Sequence, residues 1–63
     1  MQTTNQALDS LVTRYINAHV AFAAATTAAA ADRAAGVMDR VLVAADKQGM
    51  GDALIAELER KFS

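Results

Sequence analysis

Polar and apolar positions in residues 32–49 repeat with the period of an α-helix. An acid followed by a base recurs every seven residues, at Asp32-Arg33, Asp39-Arg40 and Asp46-Lys47. At about 100° per residue, five apolar side chains of this stretch cluster on the face opposite these charges. They are Ala34, Met38, Val41, Leu42 and Ala45. The pattern predicts an amphipathic helix.

The N-terminal part of the chain shows a second helical pattern. The chain contains no Pro, and its first glycine is Gly36, so no residue before it forbids a helix. One arc of this stretch is apolar apart from a histidine and consists of Leu8, Leu11, Val12, Tyr15, Ile16, His19, Phe22 and Ala23. We predict a long helix over residues 4–25, with Thr3 or Thr4 as its cap.

The two helices can form one rod or fold back as a hairpin. The apolar stripe around Met38 is displaced by about 85° from the stripe around Tyr15, in the sense opposite to the drift of a left-handed coiled coil. This displacement favours a break. Thr26-Thr27 is the best position, because β-branched residues weaken a helix and Thr27 can cap the next one. Asp32 is the second choice. A hairpin places the second helix over residues 28–48.

A short third helix completes the predicted fold. Gly49 can end the second helix in the left-handed conformation. Leu54, Ile55, Leu58 and Phe62 then share one side of a helix over residues 52–62, with Glu57 and Lys61 placed to form an ion pair. We therefore expect an all-α fold, a helical hairpin plus a short C-terminal helix, in a single domain of residues 1–63.

Composition makes self-association the next expectation. A chain of 63 residues buries only about 60% of its unfolded surface. Alanine supplies 16 of the apolar residues, and a buried methyl group contributes little. There is no Cys, and one His cannot build a zinc site. A homodimeric helical bundle is the remaining way to complete the core.

Charge and hydropathy limit the other partners. The net charge of −1 gives no general attraction to nucleic acid or to anionic membranes. Residues 15–31 carry no formal charge, but Asn17, His19 and two threonines oppose insertion into lipid, so we expect no membrane association. The N-terminus has no basic region and no apolar signal core. These features predict a cytoplasmic protein.

The sequence shows no nucleophile with a base, no group of metal ligands and no phosphate-binding loop. The serines are Ser10 and Ser63, and His19 has no acid three or four residues away to orient its ring. Asp32, Asp39 and Asp46 lie about 10.5 Å apart along a helix, too far apart to chelate a metal ion together. No glycine-rich phosphate loop follows a strand. We therefore expect no enzymatic activity, no cofactor and no metal.

Five side chains are candidates for binding a protein partner: Tyr15, His19, Phe22, Met38 and Arg40. Aromatic, Met and Arg side chains dominate many interfaces. The competing interpretation places Tyr15, Phe22 and Met38 in the core and Arg40 in solvent. His19 is either a packed residue of the core or dimer seam, or a polar group that sets register or responds to pH.

Residues 41–60 resemble a DNA-binding helix-turn-helix. Ala45, Gly49 and Ile55 have the spacing of the small, glycine and aliphatic positions of that family. The resemblance implies that the second helix reads the major groove through Asp52, Ala53, Ala56 and Glu57. Two acids at those positions would repel phosphates, and no base-reading side chain accompanies them. A DNA-binding transcriptional regulator is therefore the alternative function, and nucleic acid is not the expected partner.

The short, alanine-rich helical character is similar to that of the small early proteins with which bacteriophages inhibit host regulators. The resemblance implies a protein that acts in the host cytoplasm by binding and inhibiting another protein. This agrees with our leading interpretation, a non-enzymatic helical protein that binds and modulates a protein partner by offering helix faces to it.

Overall fold

The computed structural model describes residues 6–62, which form three α-helices. α1 spans Gln6–Ala24, α2 spans Ala28–Lys47 and α3 spans Gly51–Phe62. α1 and α2 pack along each other, and α3 packs against both. The predicted all-α hairpin with a short C-terminal helix is confirmed. The predicted caps Thr3 and Thr4 lie outside the described residues.

The break between α1 and α2 falls at residues 25–27. Thr27 is extended, with φ −133° and ψ 156°, and its hydroxyl oxygen accepts a hydrogen bond from the Ala30 N–H at 3.1 Å. This side chain therefore satisfies one of the free N–H groups at the start of α2. The predicted break at Thr26-Thr27 is confirmed. Asp32 lies inside α2, and the single rod is wrong.

The turn between α2 and α3 is built by a glycine. Gly49 has φ +73°, a left-handed conformation that a side chain disfavours. The Met50 N–H donates to the Ala45 carbonyl at 2.7 Å, and the Gly49 N–H donates to the Asp46 carbonyl at 3.1 Å. These two bonds form a Schellman motif, which satisfies the last carbonyls of α2. The predicted role of Gly49 is confirmed.

The core lies where the three helices meet. Its buried members are Leu11, Val12, Val41, Ala45, Leu54 and Leu58. Leu8, Tyr15, Ile16, Val37, Ala44 and Met50 pack around them. Val41 and Leu54 are fully buried, so the second half of α2 and the first half of α3 form the centre of the core.

The hairpin end near residues 25–27 is covered less well. Ala18 and Ala34 are buried there but lie outside the main core cluster. Phe22 and Ala23 are exposed, so the end of the apolar arc of α1 is not covered and the core interpretation of Phe22 is wrong. His19, one turn earlier, is exposed as well but contacts the last residue of α3, Phe62. The reason for the uncovered end is length. α3 has 12 residues, a span of about 18 Å, whereas α1 has 19 residues and spans about 28 Å.

The ion pair predicted for α3 has a different basic partner. Glu57 pairs with Arg60, three residues away, at 3.2 Å, rather than with Lys61. Residues three and four positions away from Glu57 are both its neighbours on a helix surface, and the ion pair forms with the residue three positions away.

No helix within residues 6–62 has the length and apolar character needed to cross a bilayer.

Candidate functional site

An apolar groove opens on the surface where α3 rests on the hairpin. It is lined by Tyr15 of α1, Leu42 of α2 and four residues of α3, namely Ile55, Leu58, Glu59 and Phe62. Its volume is about 360 Å³. All three helices contribute, so the groove exists only in the folded chain. We call this set of residues the apolar groove.

Three large side chains of the apolar groove are left open to solvent. Leu42 is 39% exposed, Ile55 is 49% exposed and Phe62 is 51% exposed. Leu58 forms the floor of the groove and belongs to the core. Single exposed apolar residues are normal on a protein surface, but a group of them in a groove is typical of an interaction site.

His19 of α1 contacts Phe62, a residue of the apolar groove. Their ring centroids are 4.9 Å apart, and the ring planes are inclined by 48°. This distance is in the range favoured by tilted aromatic pairs. His19 is therefore neither buried in the core nor isolated in solvent; it supports the exposed ring at the end of α3. Its role in a dimer seam or as a pH-sensitive contact stays a prediction.

The other predicted contact residues lie elsewhere. Phe22 is 45% exposed near the hairpin end, beyond the apolar groove. Met38 is half-buried on α2. Arg40 is exposed, and its Nε donates to the Gly36 carbonyl at 3.3 Å. Of the five candidates, Tyr15 lines the apolar groove, and His19 contacts the groove residue Phe62.

A second groove lies between α1 and α2 on a different surface. Its floor is made largely of small residues, Ala18, Ala21, Ala30 and Ala34, with Val37. Arg14, Asn17 and Arg33 line it as well. Its volume is about 480 Å³. Its alanine floor offers no large apolar side chain to anchor a partner, so we assign the candidate site to the apolar groove.

The apolar groove presents mainly apolar side chains. Its lining contains one carboxylate, Glu59, and one phenol, Tyr15, among apolar side chains. Within residues 6–62, no three His, Asp or Glu side chains lie close enough to hold a metal ion. Such a surface gains free energy by burying apolar side chains of a partner.

The residues of the helix-turn-helix resemblance are only partly placed as that family requires. Ala45 is buried, and Gly49 adopts the left-handed conformation in the turn. Ile55, at the aliphatic position, is half exposed, and its neighbour Leu54 is the buried residue. The resemblance implies that Ile55 faces the core, but in the structure Leu54, one residue earlier, faces it. α3 therefore fits the geometry of the family incompletely.

Of the six residues of the apolar groove, only Tyr15 is predicted from the sequence as a contact residue. The three most exposed, Leu42, Ile55 and Phe62, belong to apolar stripes, and stripes are expected to be buried. The sequence feature that could have identified them is how far each residue lies from the centre of its apolar stripe. Leu42 lies about 80° from Ala34, at the edge of the buried face of α2, and edge positions are the first to be exposed when a neighbouring helix is short.

No protein-family model, curated protein or solved structure matches this chain.

Proposed function

We propose that this chain is a non-enzymatic helical protein that binds another protein through the apolar groove. The observation that carries the proposal is the convergence of Leu42, Ile55 and Phe62, each at least 39% exposed, on one groove formed by all three helices. A partner that inserts apolar side chains here removes this surface from water.

The composition of the groove supports a protein partner. Tyr15 and Phe62 provide aromatic surface, and Ile55 and Leu42 provide aliphatic surface beside it. Small numbers of such anchors, surrounded by a polar rim, dominate protein interfaces. Glu59 at the rim adds a carboxylate that favours a basic or hydrogen-bond-donating residue on the partner. An amphipathic helix of the partner fits these requirements.

We propose further that binding inhibits the partner. A helical chain that binds through the apolar groove covers the part of its partner that it contacts, and covering a functional site is how it would inhibit that partner. The resemblance in size and composition to phage-encoded inhibitors of host regulators supports this form. The proposal includes self-association, since a short alanine-rich chain has few large side chains for its own core.

DNA binding through α2 and α3 is the second candidate. The buried Ala45 and the left-handed Gly49 favour it. Asp52 is exposed at the start of α3, and Glu57 is engaged by Arg60, so the surface that would meet phosphates is acidic at its leading end. Duplex binding that weakens steeply with salt would support this candidate over the protein partner.

The test compares two variants that each place one carboxylate on an exposed apolar position. Ile55→Asp alters the apolar groove, whereas Val20→Asp alters α1 at a residue that is 59% exposed and lines neither groove. Tagged wild-type and variant chains are used to capture partners from a lysate of the cells that make the protein. Circular dichroism checks that both variants keep the helical content of the wild type.

We expect one protein that the wild-type chain and Val20→Asp capture equally and that Ile55→Asp fails to capture. Reconstitution of that pair from purified components, with Kd weakened at least about tenfold by Ile55→Asp, completes the test. A partner captured equally by all three chains would overturn the assignment of the apolar groove.

A further inference from the structure

The outer face of α2 is organised by charge. It lies opposite the buried residues of the helix and is centred on Ala29, Gly36 and Val43, which are seven residues apart. Val43 is 47% exposed. An acidic row, formed by Asp32, Asp39 and Asp46, flanks this centre on one side. A basic row, formed by Arg33, Arg40 and Lys47, flanks it on the other side. All six charged residues are exposed.

The two rows cannot neutralise each other within the chain. No charge in either row has an opposite charge three or four residues away, which is the spacing at which helical side chains meet. The ion pair found in the described part of the chain lies in α3, between Glu57 and Arg60. Arg40 donates to the Gly36 carbonyl, so its guanidinium lies over the centre of the outer face. The rows are thus arranged for an external partner.

A second copy of the same face supplies matching charges in one orientation only. When two α2 helices pack in parallel about a two-fold axis, the acidic row of each copy lies beside the basic row of the other, along both edges. When they pack antiparallel, acid meets acid along one edge and base meets base along the other. Like charges in these flanking positions oppose association.

The small central residues permit the required approach. Gly36 and Ala29 have little or no side chain, so two helix backbones can come close enough for the flanking side chains to reach across once the exposed Arg40 side chain leaves the Gly36 carbonyl. In a parallel pair, residues of equal number lie at the same height. Asp39 of one copy is then within about 1.5 Å, measured along the axis, of the level of Arg40 in the other.

We infer that the outer face of α2 is a homodimer interface in which the two α2 helices run parallel, held in register by reciprocal pairing of the acidic and basic rows. This inference deepens the self-association that forms part of the proposed function. It uses a surface separate from the apolar groove, because neither the central residues nor the charged rows line that groove. The two assignments can therefore fail independently.

Cysteine cross-linking tests the orientation. The chain has no native Cys, so each single-cysteine variant has one thiol. In a parallel pair the two copies of Val43→Cys face each other, and we expect rapid oxidation to a disulfide-linked dimer. In an antiparallel pair centred on Gly36 they lie about 21 Å apart along the axis, beyond disulfide reach. Val20→Cys, which replaces an exposed valine of α1, is the matched control.

Charge reversal tests the pairing. The basic variant carries Asp32→Lys, Asp39→Lys and Asp46→Lys, and the acidic variant carries Arg33→Glu, Arg40→Glu and Lys47→Glu. Sedimentation equilibrium at about 10 mM salt, where screening is weak, should show each variant alone as a monomer and their equimolar mixture as a heterodimer. A chain with both sets of changes keeps the wild-type net charge and should recover the homodimer.

The inference is overturned if Val43→Cys links no faster than Val20→Cys, or if either reversed variant alone dimerises as well as the wild type. A wild-type chain that stays monomeric at low salt also overturns it. Ile55→Asp should leave the dimer intact, so loss of partner capture and loss of dimerisation are read separately.

Discussion

At the scale of single residues, the two ends of α2 depend on local chemistry. The hydroxyl of Thr27 satisfies the Ala30 N–H, while the neighbouring Thr26 is exposed and has no such role at the cap. Because an unsatisfied N–H at a helix start costs stability, we predict that Thr27→Ala lowers the free energy of unfolding by about 1 kcal/mol. Urea denaturation followed by circular dichroism measures the change, and Thr26→Ala, expected to have little effect, is the control.

Two glycines of the chain are predicted to respond oppositely to replacement by alanine. Gly36 lies inside α2, and a Cβ there would meet only the end of the Arg40 side chain, at 3.7 Å. Since glycine weakens a helix interior, Gly36→Ala should raise the free energy of unfolding by about 0.5–1 kcal/mol. Gly49 has φ +73°, so Gly49→Ala should lower it by about 1 kcal/mol through backbone strain.

Both glycine variants are best measured by thermal unfolding at low chain concentration, where self-association contributes least. Destabilisation by Gly36→Ala under those conditions would show that this glycine is needed by the fold of the single chain. That result would conflict with its place on an open helix face.

At the scale of the helices, α3 closes the core through two leucines and leaves its other apolar residues open. Leu54 is fully buried, whereas the adjacent Ile55 is 49% exposed. We predict that Leu54→Ala lowers the free energy of unfolding by about 2–5 kcal/mol, because it removes core contacts and leaves a cavity. Ile55→Ala should cost about 0.5 kcal/mol or less.

Chemical denaturation of the two variants checks this contrast. If Leu54→Ala and Ile55→Ala lowered the free energy of unfolding equally, both residues would face the core to the same extent, which would contradict the packing seen here. The helix-turn-helix packing, with Ile55 inside, predicts the reverse order, so the same experiment separates the two arrangements.

The helix boundaries could be predicted because they depend on short segments of sequence. A β-branched pair with a capping hydroxyl at Thr26-Thr27, and a glycine at residue 49, specify their local conformations with little help from the rest of the chain. The angular displacement between the apolar stripes around Tyr15 and Met38 indicated in addition that the two helices fold back on each other.

The exposed second half of α1 could not be predicted in the same way. Phe22 and Ala23 follow the apolar pattern, but their burial depends on whether another helix reaches them. Periodicity describes which side of a helix is apolar and contains no information about the length of the element that covers it. For the same reason the apolar groove, which forms at the edge of α3, was found only in the structure.

At the scale of the whole molecule, the chain has a well-packed end and an open end. Leu11, Val41 and Leu54 fill the region where three helices meet, whereas Ala18 and Ala34 are the buried residues near the hairpin end. The apolar groove lies at the margin of the packed region, and the charged rows run along the outer face of α2. The two surfaces have different chemistry and serve different proposed partners.

This division predicts different salt responses for the two interfaces. Pairing through the charged rows should weaken as salt increases, because exposed charges are screened at a Debye length of about 10 Å at 0.1 M. Partner binding through Leu42, Ile55 and Phe62 should change much less, since burial of apolar surface does not depend on charge. Sedimentation equilibrium and a binding assay over the same salt series provide the comparison. Dimerisation that is insensitive to salt would contradict the role of the rows.

The central claim is that one copy of this chain leaves its interaction surfaces incomplete and gains stability from a second copy. Thermal unfolding over an approximately hundredfold range of chain concentration tests it most directly, since association of folded chains raises Tm by mass action. We expect Tm to rise with concentration at low salt and the rise to disappear in the basic and acidic variants. A wild-type Tm that stays constant over the whole range would contradict it.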